Sequence, residues 1–183
     1  MRVLVLGGSG MLGHKVAQRL SGRFEVSATV RREASDYAAH PAFRHVRLVG
    51  DTQAEDFDSV VHALAQTRPD AVVNCIGITK QKPEAELPIQ TISLNALFPH
   101  RLAELCRSAG ARLMHFSTDC VFSGRKGMYT EDDTTDPDDL YGRAKLLGET
   151  KASGSLTLRT SIVGRELAGS HGLVEWFLSL IHI

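Results

Sequence analysis

Tyr141 and Lys145 lie four residues apart in Tyr141-Gly142-Arg143-Ala144-Lys145, and Ser117-Thr118-Asp119 precedes them. On a helix, a four-residue step puts two side chains on one face. An ammonium beside a phenol favours the phenolate, so the tyrosine is expected to exchange a proton below its free pKa of about 10. The Thr118 hydroxyl can share a hydrogen bond with the same reacting oxygen. Such a set suits proton transfer at a carbonyl or hydroxyl carbon. An ordinary amphipathic helix has the same spacing, so the pair is read as chemistry only in its setting.

That setting begins at Gly7-Gly8-Ser9-Gly10-Met11-Leu12-Gly13, which follows the apolar strand Val3–Leu6 and opens a helix with Leu12, Val16 and Leu20 at four-residue steps. Between a strand and a helix, glycines at 7, 10 and 13 read as a dinucleotide-binding turn, with Ser9, Met11 and Leu12 in the same segment. Small residues let the backbone approach a pyrophosphate, and the free N–H groups of the helix start attract its charge. A tight turn without ligand is the plain alternative. The second strand ends Thr29-Val30-Arg31-Arg32-Glu33. Arginine there accommodates the 2′-phosphate of NADP, whereas an acid, here Glu33, would hold the ribose of NAD. Arg31 and Arg32 therefore point to NADP (NADPH), with NAD as the alternative.

Stepping from strand to helix, the apolar runs Val3–Leu6, Glu25–Val30, His45–Val49, Ala71–Ile76, Arg112–Ser117 and Leu156–Arg159 read as six strands. Leu94, Leu97, Phe98, Leu102, Leu105 and Cys106 form a helical stripe that ends at Gly110. Apolar strands alternating with amphipathic helices imply an α/β fold, a doubly wound parallel sheet covered on both faces. Residues 124–139 read as a polar, acidic surface loop leading into the tyrosine helix. Asn95, inside a helix, suggests a hydrogen bond to neighbouring backbone.

The 183 residues allow one domain, and 43% hydrophobic content suits a buried core. Lys+Arg and Asp+Glu balance at 21 each, so no global field favours nucleic acid or an anionic membrane. There is no spanning apolar run and no signal-peptide pattern, and a cytoplasmic location is expected. Cys75, Cys106 and Cys120 form neither a disulfide framework nor a zinc pattern, and the histidines show no ligand spacing, so no metal is expected. Cys120 reads as a packed, inert thiol. Asp132, Asp133, Asp136, Asp138 and Asp139 read as a solvated run. Lys80 and Gln81 could meet substrate or simply form a surface loop.

Taken in order, these strings resemble the extended short-chain dehydrogenase/reductases, most closely the dTDP-4-dehydrorhamnose reductase group. The matching pieces are Gly7-x-x-Gly10-x-x-Gly13, Asn74-Cys75-Ile76-Gly77, Asn95, Ser117-Thr118-Asp119-Cys120-Val121-Phe122, Tyr141-x-x-x-Lys145 and Leu158-Arg159-Thr160. The resemblance implies a catalytic triad of Thr118, Tyr141 and Lys145, with Lys145 also holding the nicotinamide ribose. It implies adenine contact by Asp51 and a cofactor-lining turn at Asn74 and Gly77, with Asn95 beside it. The implied reaction is reduction, by NADPH, of the C4 ketone of a nucleotide-linked 4-keto-6-deoxysugar, in deoxysugar or surface-polysaccharide synthesis. Epimerisation on the same scaffold and a non-catalytic regulatory subunit, similar to partners of methionine adenosyltransferase, are the alternatives. A homodimer is compatible with the resemblance. Cys120 stands where the reductases carry tyrosine, which leaves the sugar open, and it replaces the carboxylate that a dehydratase needs.

The family continues into a small sugar-binding lobe, so residues 1–183 are expected to be an NAD(P)-binding Rossmann-type domain from a longer chain, the C-terminal substrate lobe largely absent. The tail Leu178-Ser179-Leu180-Ile181-His182-Ile183 back-translates to CTG TCT CTT ATA CAC ATC, the end of a transposase adapter. A reading frame ending in adapter sequence is the expectation; a natural apolar helix is the alternative.

Overall fold

A computed structural model describes residues 1–80, 83–169 and 172–181. Gln81, His182 and Ile183 of the readings above lie outside them. The strands β1 (Arg2–Leu6), β2 (Glu25–Thr29), β3 (Arg47–Val49), β4 (Ala71–Asn74), β5 (Arg112–Phe116) and β6 (Ser155–Leu158) form one parallel sheet in the order β3-β2-β1-β4-β5-β6. The expected doubly wound sheet is therefore present, with its switch of direction between β1 and β4. A crevice opens there at the carboxyl ends of the strands. β3 is shorter than its apolar run because Val46 N–H is bonded to the Phe43 carbonyl, in the turn Pro41–Phe43.

Alternation along the strands divides the core in two. Leu4 and Leu6 face α3 (Phe57–Thr67) and α5 (Phe98–Ser108), packing with Val60, Leu64, Phe98 and Leu102. Val3 and Val5 face α1 (Met11–Leu20), packing with Ala17, Val26, Ala28 and Val73. In α1 the deepest residues are Gly13, His14 and Ala17, whereas Leu12, Val16 and Leu20 are only half-buried. The stripe is displaced because the helix starts too close to β1 for a larger residue. A Cβ on Gly13 would lie 2.1 Å from the Gly7 carbonyl oxygen.

After the short helices α2 (Ser35–Ala38) and α4 (Pro88–Thr91), the segment Ile92–Leu97 is π-helical and runs into α5. The wider turn shifts the apolar stripe: Leu94, Phe98, Leu102 and Cys106 are buried, but Leu97 is 54% exposed. The same turn carries Asn95 into the interior. The helix α6 (Leu140–Leu147) packs on this segment, and a Cβ on Gly148 would stand 2.0 Å from the Asn95 carbonyl oxygen. α7 (Leu173–Ile181) exposes Leu173, Trp176, Phe177, Leu180 and Ile181. No helix among the described residues is long and apolar enough to cross a membrane.

Gly148→Ala is therefore expected to cost about 2 kcal/mol in urea unfolding, as overpacking against backbone. Gly22→Ala, with nothing within 4 Å of the added Cβ, should change stability by less than about 0.5 kcal/mol.

Candidate active site

The glycine segment forms a cradle between β1 and α1. Gly7 has φ +79°, and a Cβ there would meet Ile76 Cγ1 at 3.0 Å, so the chain needs glycine twice over. Thr29, at the end of β2, holds the loop: its carbonyl accepts Gly8 N–H at 2.7 Å and its hydroxyl accepts Gly7 N–H at 3.1 Å. Gly10 caps α1 with no side-chain acceptor, so the N–H groups of the first turn remain available to an anion. A cradle that any side chain would fill, opening on an uncapped helix start, fits a dinucleotide pyrophosphate. Arg31, Arg32 and Asp51 are exposed beyond β2 and β3 on the same edge of the sheet, and Asp51 is left-handed with φ 52°.

The turn after β4 is fixed from within. Asn74 is 1% exposed; its carbonyl oxygen accepts Ile76 N–H at 3.0 Å and its amide is 3.0 Å from His115 Nδ1. Asn95 is fully buried and clamps Ile78 twice, accepting from its N–H and donating to its carbonyl, each at 2.9 Å. The expected bond from Asn95 to backbone is thus present, and it supports the turn bearing Gly77. A Cβ on Gly77 would come 3.0 Å from Asn95 Oδ1 and 3.9 Å from Lys145 Nζ.

Thr118, Tyr141 and Lys145 come together where β5 ends against α6. Lys145 is 5% exposed and its Nζ donates to the Phe116 carbonyl at 2.6 Å. Burial pushes it down to about 8, against a smaller upward pull from Glu149. Tyr141 differs from expectation. Burial holds its phenol above the ordinary value, and the carboxylates of Asp119 and Asp139 add to this, while Thr118, its hydrogen-bond partner, pulls the other way. The ammonium expected to ionise the phenol is directed at a main-chain carbonyl instead. Tyr141 is consequently held as a neutral phenol. His115, buried behind Lys145, is pushed down to about 3 by desolvation and by the lysine charge, and stays neutral.

Beside this set lies a cleft of about 480 Å³ lined by Lys80, Asp119, Cys120, Phe122, Asp139 and Arg159, among others. Cys120 is half-exposed and lines the cleft, not the core, because the turn Asp119–Val121 buries Val121 in its place. The acidic run is also more than solvated surface. Asp136 accepts from Ser123, Asp138 pairs with Arg125, and Asp139 accepts Gly142 N–H at 2.7 Å as the cap of α6. Thr29 and Glu149 also support the site, although neither belongs to one of the motifs above. Glu149 binds Arg159 through both oxygens at 2.8 Å and accepts from the Ser117 hydroxyl at 2.8 Å. Its four-residue step from Lys145 was the available signal. Among the described residues, no group of three or more His, Cys, Asp or Glu is placed to hold a metal.

The family described as RmlD substrate binding domain matches residues 1–180. The chain belongs to that family. The chain is 34% identical over 149 residues to a dTDP-4-dehydrorhamnose reductase of Streptomyces griseus, covering 81% of this chain and 43% of that protein. It is 32% identical over 150 residues to methionine adenosyltransferase 2 subunit beta of Rattus norvegicus, covering 81% and 41%. The crystal structure of a hypothetical dTDP-4-dehydrorhamnose reductase from Sulfolobus tokodaii superposes with a TM-score of 0.75 at 29% identity, covering 90% of this chain and 57% of that one. The chain thus spans between 41% and 57% of the length of these relatives.

The buried Lys145 makes stability depend on pH. Its folded value, about 8, lies below the ordinary 10.5, so above pH 8 the native protein sheds a proton that the unfolded chain keeps until about 10.5. The stability difference between wild type and Lys145→Met should rise across that window, by an order of 3 kcal/mol in full. Urea midpoints of both proteins from pH 7 to 10.5 check this.

Proposed function

We propose that this RmlD-family chain is the cofactor-binding part of an NADPH-dependent reductase acting on the 4-keto group of a nucleotide-linked 4-keto-6-deoxysugar. Residues 1–183 are read as a single NAD(P)-binding domain, with the six-stranded sheet as its frame. The observation that carries the reading is the neutral Tyr141 phenol, partnered by Thr118 and one helical turn from a buried ammonium, at the carboxyl ends of the strands.

NADPH, when bound, supplies the hydride. The chain's own residues do the rest. Gly7, Gly10 and Gly13, with Ser9, Met11 and Leu12, leave room for the pyrophosphate at the start of α1. Arg31 and Arg32 would offer charge to a 2′-phosphate, and Asp51 would contact the adenine. Asn74, Gly77 and Asn95 would line the turn beside the cofactor, and Lys145 would donate to the nicotinamide ribose. Thr118 holds the ketone oxygen, and Tyr141 delivers the proton to the alkoxide as it forms. A phenol whose pKa is raised by burial suits this direction, since it keeps its proton until charge develops beside it. Epimerisation on this scaffold would need the same group to accept a proton as readily.

A second reading, a non-catalytic NADP-binding subunit, draws on the 32% identity to methionine adenosyltransferase 2 subunit beta. Tyr141→Phe in the full-length protein separates the two. The reductase reading expects kcat to fall by about a hundredfold or more with NADPH affinity retained; undiminished function would overturn it. Replacing Arg31 and Arg32 together with alanine should weaken NADPH binding about tenfold and leave NADH binding nearly unchanged, measured by fluorescence titration.

A further inference from the structure

One contact outside the triad joins the two walls of the crevice. Lys80 follows the turn after β4, and its Nζ lies 2.7 Å from Asp139 Oδ2. The other Asp139 oxygen accepts Gly142 N–H, capping α6. Gly142 is itself wedged: a Cβ there would stand 2.3 Å from the Cys120 carbonyl oxygen and 2.9 Å from Pro137 Cβ. The first turn of α6 is therefore held by its capping carboxylate on one side and by the loop carrying Thr118 on the other. Tyr141 sits between Asp139 and Gly142 in that turn.

With side chains 57% and 39% exposed, the Lys80–Asp139 pair adds little to global stability. Its location gives it another use. Both residues line the cleft, whose other lining cation, Arg159, is committed to Glu149 through two bonds. We propose that Lys80 is a positioning residue of the active site, acting through Asp139 to fix the start of α6 and the charge that Tyr141 meets. The proposal rests on the reading of Tyr141 as proton donor.

The groups that act on the phenol are Thr118, Asp119 and Cys120 from the β5 loop and Asp139 from the cap of α6, and Lys80, paired with Asp139, also feels the charge of the phenol and of Cys120 directly, though less than that of Asp139. Burial opposes the charge of Asp139, but Lys80 and Gly142 N–H outweigh it and keep the carboxylate ionised. Without Lys80, that negative charge stands unneutralised near Tyr141. The phenol then holds its proton to higher pH and releases it less readily.

The chain has three tyrosines, Tyr37, Tyr129 and Tyr141, so ¹³Cζ-tyrosine NMR resolves each titration, with Tyr141→Phe giving the assignment. Lys80→Met should move the Tyr141 midpoint upward and Asp139→Asn should move it downward. The effect of removing Lys80 should shrink when Asp139 is already asparagine. In turnover by the full-length protein, Lys80→Met should lower kcat about tenfold with little change in the KM for NADPH, and Lys80→Arg should restore most of it. Equal Tyr141 shifts from Lys80→Met in both backgrounds, or none in either, would overturn the proposal. The titration needs no turnover, so a coupled titration alongside a fully active Tyr141→Phe would sink the proton-donor reading instead.

Discussion

A buried ammonium has to be met by oxygen, and here the oxygen is a main-chain carbonyl of the sheet. Lys145 reaches the Phe116 carbonyl, and Thr118 follows two residues later in extended conformation, with φ −139° and ψ 155°. Two extended residues advance about 6.6 Å. The step from Lys145 back to Tyr141 is four helical residues, about 6 Å. Because these lengths agree, anchoring Lys145 on one carbonyl brings Tyr141 level with the Thr118 hydroxyl. The grouping of Thr118, Tyr141 and Lys145 is thus a match of pitch between a strand end and a helix laid along it. The π-helical turn at Ile92–Leu97 and the bare Gly148 allow that helix to lie so close.

Burial then decides the charge states. Desolvation lowers Lys145, pushes His115 down to about 3 and raises Tyr141. The result is a site whose imidazole and phenol are neutral while its ammonium is only just held. Glu149 offsets part of the lysine's burial and at the same time fixes Arg159 at the end of β6 and Ser117 at the end of β5. One carboxylate therefore ties β5 and β6, neighbours at one side of the sheet, to the end of α6. Such partly buried, hydrogen-bonded pairs serve geometry more than stability.

Much of this was legible in the residues themselves. Continuous apolar runs marked the strands, because a sheet covered on both faces hides most side chains of its central strands, while β3 and β6 at the edges stay partly exposed. Glycines between strand and helix marked the cradle, and Tyr141, Lys145 and Thr118 marked the chemistry. The polar cross-links were not legible. Lys80 meets Asp139, and Ser117 meets Glu149, only because the strand order brings distant loops to one edge, and neither pair has a local spacing that announces it. The sign of the Tyr141 shift is not legible in the sequence for a related reason. Helical spacing shows that an ammonium shares a face with a phenol, but not that a strand carbonyl claims it. Nor does a periodic stripe reveal a π turn, which moved Leu97 outward and Asn95 inward.

The three cysteines occupy very different surroundings, and that has a practical side. Burial pushes both Cys75 and Cys106 up to about 12, so they stay protonated and slow towards alkylating reagents at ordinary pH. Cys120 alone lines the cleft. A maleimide dye or spin label would therefore attach mainly at a single point in the native chain, on the wall beside Asp119. It would give an optical or magnetic reporter of what enters the crevice, with no need to strip the other thiols first.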